Sequence, residues 1–196
     1  MKTCKLLREQ VAAATGSKKA ELVLKNAQIV NVFTQSVETG DIAIEGGYIV
    51  GIGNYEGITE KDLGGAYVCP GFLDGHIHIE SSMTSPGEFE RAVVPHGTIA
   101  VITDPHEIAN VAGTAGIRFM MQSAQKLDLD VYFMLPSCVP ATDLDESGAE
   151  LLARDLEPFY ADEKVLGLAE MMNAFGVTHG DKGCFEKLVQ ARSLKK

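Results

Sequence analysis

"GFLDGHIHIESS", residues 71–82, sets His76 and His78 one residue apart, behind an acid and a glycine, in a run that is otherwise largely apolar. In an extended strand, residues two apart face the same side with Cα atoms about 6.6 Å apart. Two imidazoles so spaced can converge on one cation at a strand end, since zinc-type ions bind imidazole nitrogen at about 2.0–2.1 Å. The same spacing also arises by accident, wherever two polar residues share a strand face. Context weighs against accident. Pro70-Gly71 fixes the approach of the chain, and an inward imidazole without a partner costs on the order of 1–3 kcal/mol, which a metal ion would relieve.

Outward from this stretch the chain alternates strand and helix with a repeat of about 30 residues, the length of a βαβ unit. The strands read as "AYVCPGFLDGHIHI", "TIAVITD", "DVYFMLP" and "VLGLAEMM". The helices read as "SPGEFERAVVPHG", "ANVAGTAGIRFMMQSAQKL", "SGAELLARDLEPFY" and "DKGCFEKLVQARSLKK". The strand cores are near-continuous apolar runs, as parallel strands covered on both faces require. The expected class is α/β. No strand end carries G-x-G-x-x-G or a P-loop, which a doubly wound nucleotide-binding sheet would announce. Reactive side chains instead collect at the carboxyl ends of the strands, the pattern of a (β/α)8 barrel: His76 and His78, then Asp104 and His106, then Ser137, then Glu170. Glu170 is placed to complete or bridge a metal site with the two histidines.

Before these units, residues 1–19 read as a helical lead-in and residues 20–66 as a small antiparallel sheet rich in Val and Ile. Gly46 and Gly47 occupy the two-residue turn of a hairpin. Residues 67–196 carry the four βα units.

Seventeen basic residues against twenty-seven acidic ones give a net charge of -10, so nucleic acid and anionic membranes are poor partners. A small neutral or cationic molecule fits better. No apolar run reaches the roughly 20 residues of a membrane span. The four cysteines are scattered without a CxxC pair, which reads as reduced thiols in a cytoplasmic protein.

The second-strand group "TDPHE" leaves its roles open. Asp104 and His106 could contact substrate, shuttle a proton or hold a further metal, with Glu107 assisting; equally, Asp104 could cap a turn before the next helix. Ser137 could meet a substrate edge or serve ordinary turn chemistry. Cys138 reads as a buried apolar thiol, His96 and His179 as loop or helix-end residues, and Met120, Met121, Met171 and Met172 as core packing.

The 71–82 stretch resembles the first-strand signature of the amidohydrolase superfamily. With "TDPHEIANVAG" (103–113), "MLPSCVPATD" (134–143) and "GLAEMMN" (167–173), the chain is similar to the adenine deaminase family within it, from about residue 20 onward. The resemblance implies that His76 and His78 are metal ligands and that Glu170 bridges two metals, where cyclic-amide hydrolases carry a carboxylated lysine. It implies a dinuclear centre, manganese before iron or zinc, and metal-assisted hydrolysis of adenine at C6 to hypoxanthine and ammonia. His106 and Glu107 become candidate catalytic residues, Asp104 and Ser137 candidate substrate contacts, and a homo-oligomer becomes possible by analogy. In the family, two further histidine ligands and the general-base aspartate come from later strands. A full barrel needs about 250 residues, so the chain reads as the amino-terminal portion of such an enzyme, with doubtful activity by itself. A related cyclic-amide hydrolase and a non-catalytic metal-binding or interaction module are the alternatives.

Overall fold

The structure, a computed structural model, describes residues 4–142 and 144–196. The first three residues of the expected lead-in helix and Asp143 lie outside the described residues. The chain forms two units, Met1–Pro70 and Gly71–Lys196.

The first unit holds helix α1 (Cys4–Ala14) and strands β1 (Ala20–Asn31), β2 (Ser36–Glu45), β3 (Tyr48–Gly53), β4 (Gly57–Asp62) and β5 (Tyr67–Val68). Glu45 pairs with Tyr48 across a two-residue turn. Gly46 and Gly47 occupy it at φ 58° and 76°, a region that costs other residues steric strain. The strand order is β3-β2-β1-β4, with β5 also on β1. The sheet is not wholly antiparallel as expected: β4 and β5 both run parallel to β1, because the chain leaves β3 and crosses over to the free edge of β1 instead of continuing the meander. α1 is pinned to this sheet by Gln10, whose amide donates to the Glu45 carbonyl at 3.2 Å, and by the Tyr55 hydroxyl on the Ala14 carbonyl at 3.0 Å. Ala13, Ala20, Val23 and Ala43 make the dry contact between them.

The second unit is a four-stranded parallel sheet in the order β6-β7-β8-β9, made of β6 (Phe72–Ile77), β7 (Thr98–Thr103), β8 (Asp130–Leu135) and β9 (Val165–Leu168). The long apolar reading "AYVCPGFLDGHIHI" is thus divided. Tyr67–Val68 belongs to the first sheet, and β6 begins after the Pro70-Gly71 break. Helix α2 (Pro86–Val93) starts on Pro86, where the missing N–H is no loss, and α3 (His106–Ser123) joins β7 to β8. After β9 come α5 (Ala174–His179) and α6 (Lys182–Ser193), the latter capped by the Asp181 carboxylate on the Cys184 amide at 2.8 Å.

Three expectations fail here. "SGAELLARDLEPFY" is helical only over α4 (Ala153–Leu156), followed by a 3-10 turn at Glu157–Ala161. Residues 147–152 instead lie as a strap against α3 and the segment after β8: Gly148 N–H donates to the Asn110 carbonyl at 2.9 Å and Leu151 N–H to the Val139 carbonyl at 2.9 Å. Tertiary bonds replace the helical ones. β6, expected to be covered on both faces, is exposed along most of its length, because as an edge strand it has β7 as its one neighbour in the sheet. The core lies on the other strands and helices, around Val101, Ile117, Met120, Leu135, Leu156 and Val165; burying each of the larger of these side chains contributes roughly 1.5–3 kcal/mol. Met172 is 41% exposed and is no part of it.

Candidate metal centre

His76, the last but one residue of β6, sits on an Asx-type turn, its N–H donating to Asp74 Oδ1 at 3.1 Å. His78 follows β6 by one residue, and Glu170 lies two residues past β9. Their side chains meet. His76 Nε2 and His78 Nε2 are 3.2 Å apart, and Glu170 Oε1 is 3.8 Å from the first and 3.4 Å from the second. One donor atom from each of the three lies within 4.8 Å of the others. Two ligands held about 2.1 Å from a single ion at a tetrahedral angle sit about 3.4 Å apart, so the donor set suits a divalent cation in both chemistry and spacing.

The protonation of His78 is fixed by its other nitrogen. Nδ1 faces two acceptors, the Asp104 carbonyl at 2.8 Å and Glu107 Oε2 at 3.1 Å, so the neutral ring favours its proton on Nδ1, with the Nε2 lone pair toward His76 and Glu170. Burial works against a charged His78, but Glu107, the Asp104 carbonyl and Glu170 outweigh it and hold the imidazole above its usual pKa. Glu107 is itself held by the Ser81 hydroxyl at 2.7 Å. Burial pushes its carboxyl up, and the Ser81 bond, with His78 nearby, brings it below the ordinary value. Glu80 of the same turn accepts from the Ile108 amide at 3.2 Å. The 3-10 turn Ile79–Ser82 therefore docks on the start of α3. Ser81 and Glu80 stood inside the quoted stretch without a role; the spacing of IESS carries no metal or catalytic pattern by itself.

Asp104 lies beneath. Its side chain is 1% exposed, and neither carboxyl oxygen has a hydrogen-bond partner among the described residues. Burial pushes its pKa up to about 7. It does not cap α3: the capping position is Pro105, with no side-chain bond. His106 is half-buried with Nδ1 unpartnered among the described residues, and burial lowers its pKa. Ser137 is fully buried, its hydroxyl on the Glu170 carbonyl and its own carbonyl accepting from Lys187 Nζ at 2.8 Å. Lys187 carried no sequence signal, because a lone lysine on a helix usually faces solvent. His96 and His179 lie at the ends of short helical turns, outside this cluster. All four cysteines are free, and Cys138 is buried.

A parallel sheet thus brings two histidines from the end of its first strand and a glutamate from the end of its last into one donor set of the kind that can hold a divalent cation. The Amidohydrolase family model matches residues 67–195, and the chain belongs to that family. Within it the chain is 53% identical over 191 residues to adenine deaminase of Bacillus pumilus, covering 97% of this chain and 33% of that one. It is 54% identical over 184 residues to adenine deaminase 2 of Carboxydothermus hydrogenoformans, covering 94% and 32%. The chain spans about a third of the length of the curated relatives it matches. Among solved structures it is similar in fold to a mutant atrazine chlorohydrolase from Arthrobacter aurescens TC1 complexed with zinc and atraton, with TM-score 0.56, 16% identity and coverage of 82% of this chain and 51% of that one. It is also similar to a D-aminoacylase, with TM-score 0.50, 15% identity and coverage of 90% and 50%. No described helix is long and apolar enough to cross a membrane.

Proposed function

We propose that the chain is the amino-terminal part of a metal-dependent adenine deaminase, built on the first four βα units of a (β/α)8 barrel. The observation that carries this is the meeting of His76, His78 and Glu170 within 4.8 Å. β6 and β9 are separated by two strands, so in a flat sheet their backbones would stand about 14 Å apart. Side chains that close this gap on one face favour a sheet curled toward that face, as in a barrel wall. The substrate follows from the relatives, whose name is adenine deaminase at about 53% identity, and from glutamate at position 170.

His76, His78 and Glu170 would hold the ion, manganese in our reading, with iron or zinc equally suited to the donors; the whole enzyme would carry a dinuclear centre. A divalent ion there supplies the Lewis acidity that makes water a competent nucleophile near neutral pH. The Asp104 carbonyl, bonded to His78 Nδ1, and the Glu107 carboxylate beside it favour the tautomer that keeps Nε2 free for ligation. The attack falls on C6 of adenine, the C6–amine bond breaks, and the amine leaves as ammonia after taking a proton. His106 and Glu107 handle that proton in our assignment, and Asp104, buried beneath them, is our candidate for a substrate contact. We place the enzyme in the cytoplasm, acting on a small molecule rather than on nucleic acid or membrane.

The test is a chimaera in which residues 20–196 replace the matching third of the Bacillus pumilus enzyme. We expect manganese-dependent release of ammonia from adenine, reduced at least a thousandfold by His78→Ala, and little or none from the 196-residue chain alone. A chimaera that opens a cyclic amide but leaves adenine untouched would assign the chain to the related hydrolases. One that takes up metal and converts neither would favour the binding module.

A further inference from the structure

Glu170 stands where the sheet no longer holds the chain. The Ala169 amide makes the last main-chain bond from this segment to β8, on the Leu135 carbonyl at 2.7 Å. One residue on, the Glu170 carbonyl accepts a side-chain bond instead, from the Ser137 hydroxyl. Cys138 Sγ is also within reach of that hydroxyl at 3.3 Å, but sulfur is a weak acceptor beside a carbonyl, and a hydroxyl has one proton to give. Ser137 is held from its other end, where its carbonyl accepts from Lys187 Nζ of α6 at 2.8 Å. Ser137 is 1% exposed and Lys187 7% exposed. A lysine at that depth is rare without a specific partner, and the Ser137 carbonyl is the acceptor its amine meets among the described residues.

We propose that Ser137 and Lys187 are positioning residues for the metal centre: the bonded series Lys187–Ser137–Glu170 fixes the main chain from which the Glu170 carboxylate reaches His76 and His78. This rests on the ligand assignment made above. It gives α6, remote in sequence from the histidines, a part in the centre. It also gives Ser137 a task that leaves no free hydroxyl for a substrate.

Cobalt(II), whose visible absorption reports its ligand field, is titrated into the full 196-residue chain and into Ser137→Ala, Ser137→Thr, Lys187→Met and Glu170→Gln variants, each first compared with wild type by circular dichroism. Ser137→Ala and Lys187→Met are each expected to weaken cobalt binding about 10- to 100-fold, as loss of a ligand's outer partner does, and to shift the visible band. Ser137→Thr, which keeps the hydroxyl, restores wild-type binding. The Ser137→Ala/Lys187→Met double variant loses no more than the weaker-binding single, because both act through one series of bonds. Glu170→Gln separates the two claims. If it binds cobalt as wild type does, the ligand assignment falls. If it loses cobalt while Ser137→Ala and Lys187→Met do not, the positioning proposal is overturned and Ser137 is free to be a substrate contact. A wild-type chain that takes up no cobalt overturns both. If Ser137→Ala departs from the wild-type spectrum, Lys187→Met decides.

Discussion

His78 is defined as much by Nδ1 as by Nε2. Two acceptors on the first nitrogen favour the neutral tautomer whose second nitrogen is free, and without them the residue would offer either nitrogen in either tautomer. The H-x-H pair was legible in the sequence because a strand's period of two is a local property. The acceptors were not, because they come from the turn after β7 and the start of α3. Asp104 shows the same limit more sharply. The sequence allowed a capping carboxylate before Pro105, and the structure buries the group without a partner.

That burial has a pH signature. With its folded pKa raised from 3.8 to about 7, Asp104 keeps its proton in the folded chain over a range where the unfolded chain has lost it. Stability therefore falls as pH rises from about 4 to about 7 and levels above that. In the metal-free chain, Asp104→Asn is expected to remove this slope. It should raise the stability at pH 7.5 by roughly 2–4 kcal/mol, with the advantage closing toward pH 4. Denaturant titrations at several pH values measure it; equal slopes for the two proteins would show that the carboxyl is solvated.

Among elements, α3 and the strap 147–152 form one device. α3 is broken at Gly113, which has φ 58° and ψ -140°, a conformation essentially closed to residues with a Cβ. A Cβ there would also come within 3.1 Å of the Ala149 methyl. The break frees the Asn110 carbonyl, which accepts from the Gly148 amide and the Ser147 hydroxyl. Gly113→Ala is expected to cost about 2–3 kcal/mol, seen as a lower urea midpoint with an unchanged m-value. The sequence reads straight through this position as helix, since "ANVAGTAG" has helical composition and the strap that selects the break arrives from more than thirty residues later.

In the first unit the bulge in β1 between Leu24 and Ala27 is organised in the same way. Asn26 sits at φ 57°. Asp41 accepts from its amide at 3.1 Å, from Lys25 Nζ at 2.5 Å and from the Tyr55 amide at 3.4 Å. Lys25 above all holds the Asp41 carboxyl below its usual pKa. Its contribution is then complete above about pH 4 and is lost as pH falls through the lowered folded value. Asp41→Asn should lower the thermal midpoint at pH 7 by about 5 °C, and the gap should narrow under acid. A gap constant from pH 7 to pH 2 would rule out an ionised role for Asp41.

For the molecule as a whole, the alternation of strand and helix was readable because each unit declares itself within about 30 residues. The parallel placement of β4 and β5, and the exposure of β6, follow from which edges are covered, which is not a local property. Phe72, Leu73 and Ile99 are 60%, 73% and 51% exposed on β6 and β7, and strands with this much open apolar surface tend to recruit a neighbour. The 196-residue chain is therefore expected to associate with rising concentration. Leu73→Asp with Ile99→Asp should shift it toward monomer in sedimentation runs, with cobalt uptake unchanged. Association that ignores these substitutions would place the contact elsewhere.

The meeting of strand ends has a mechanical consequence. An ion shared by His78 and Glu170 would tie together points about 90 residues apart in the chain, closing a long loop as a crosslink does. Loading should then protect the amides of β9 against hydrogen exchange more than those of the hairpin at Gly46–Gly47. The ion would be a fastener for the sheet before it is a reagent for the substrate.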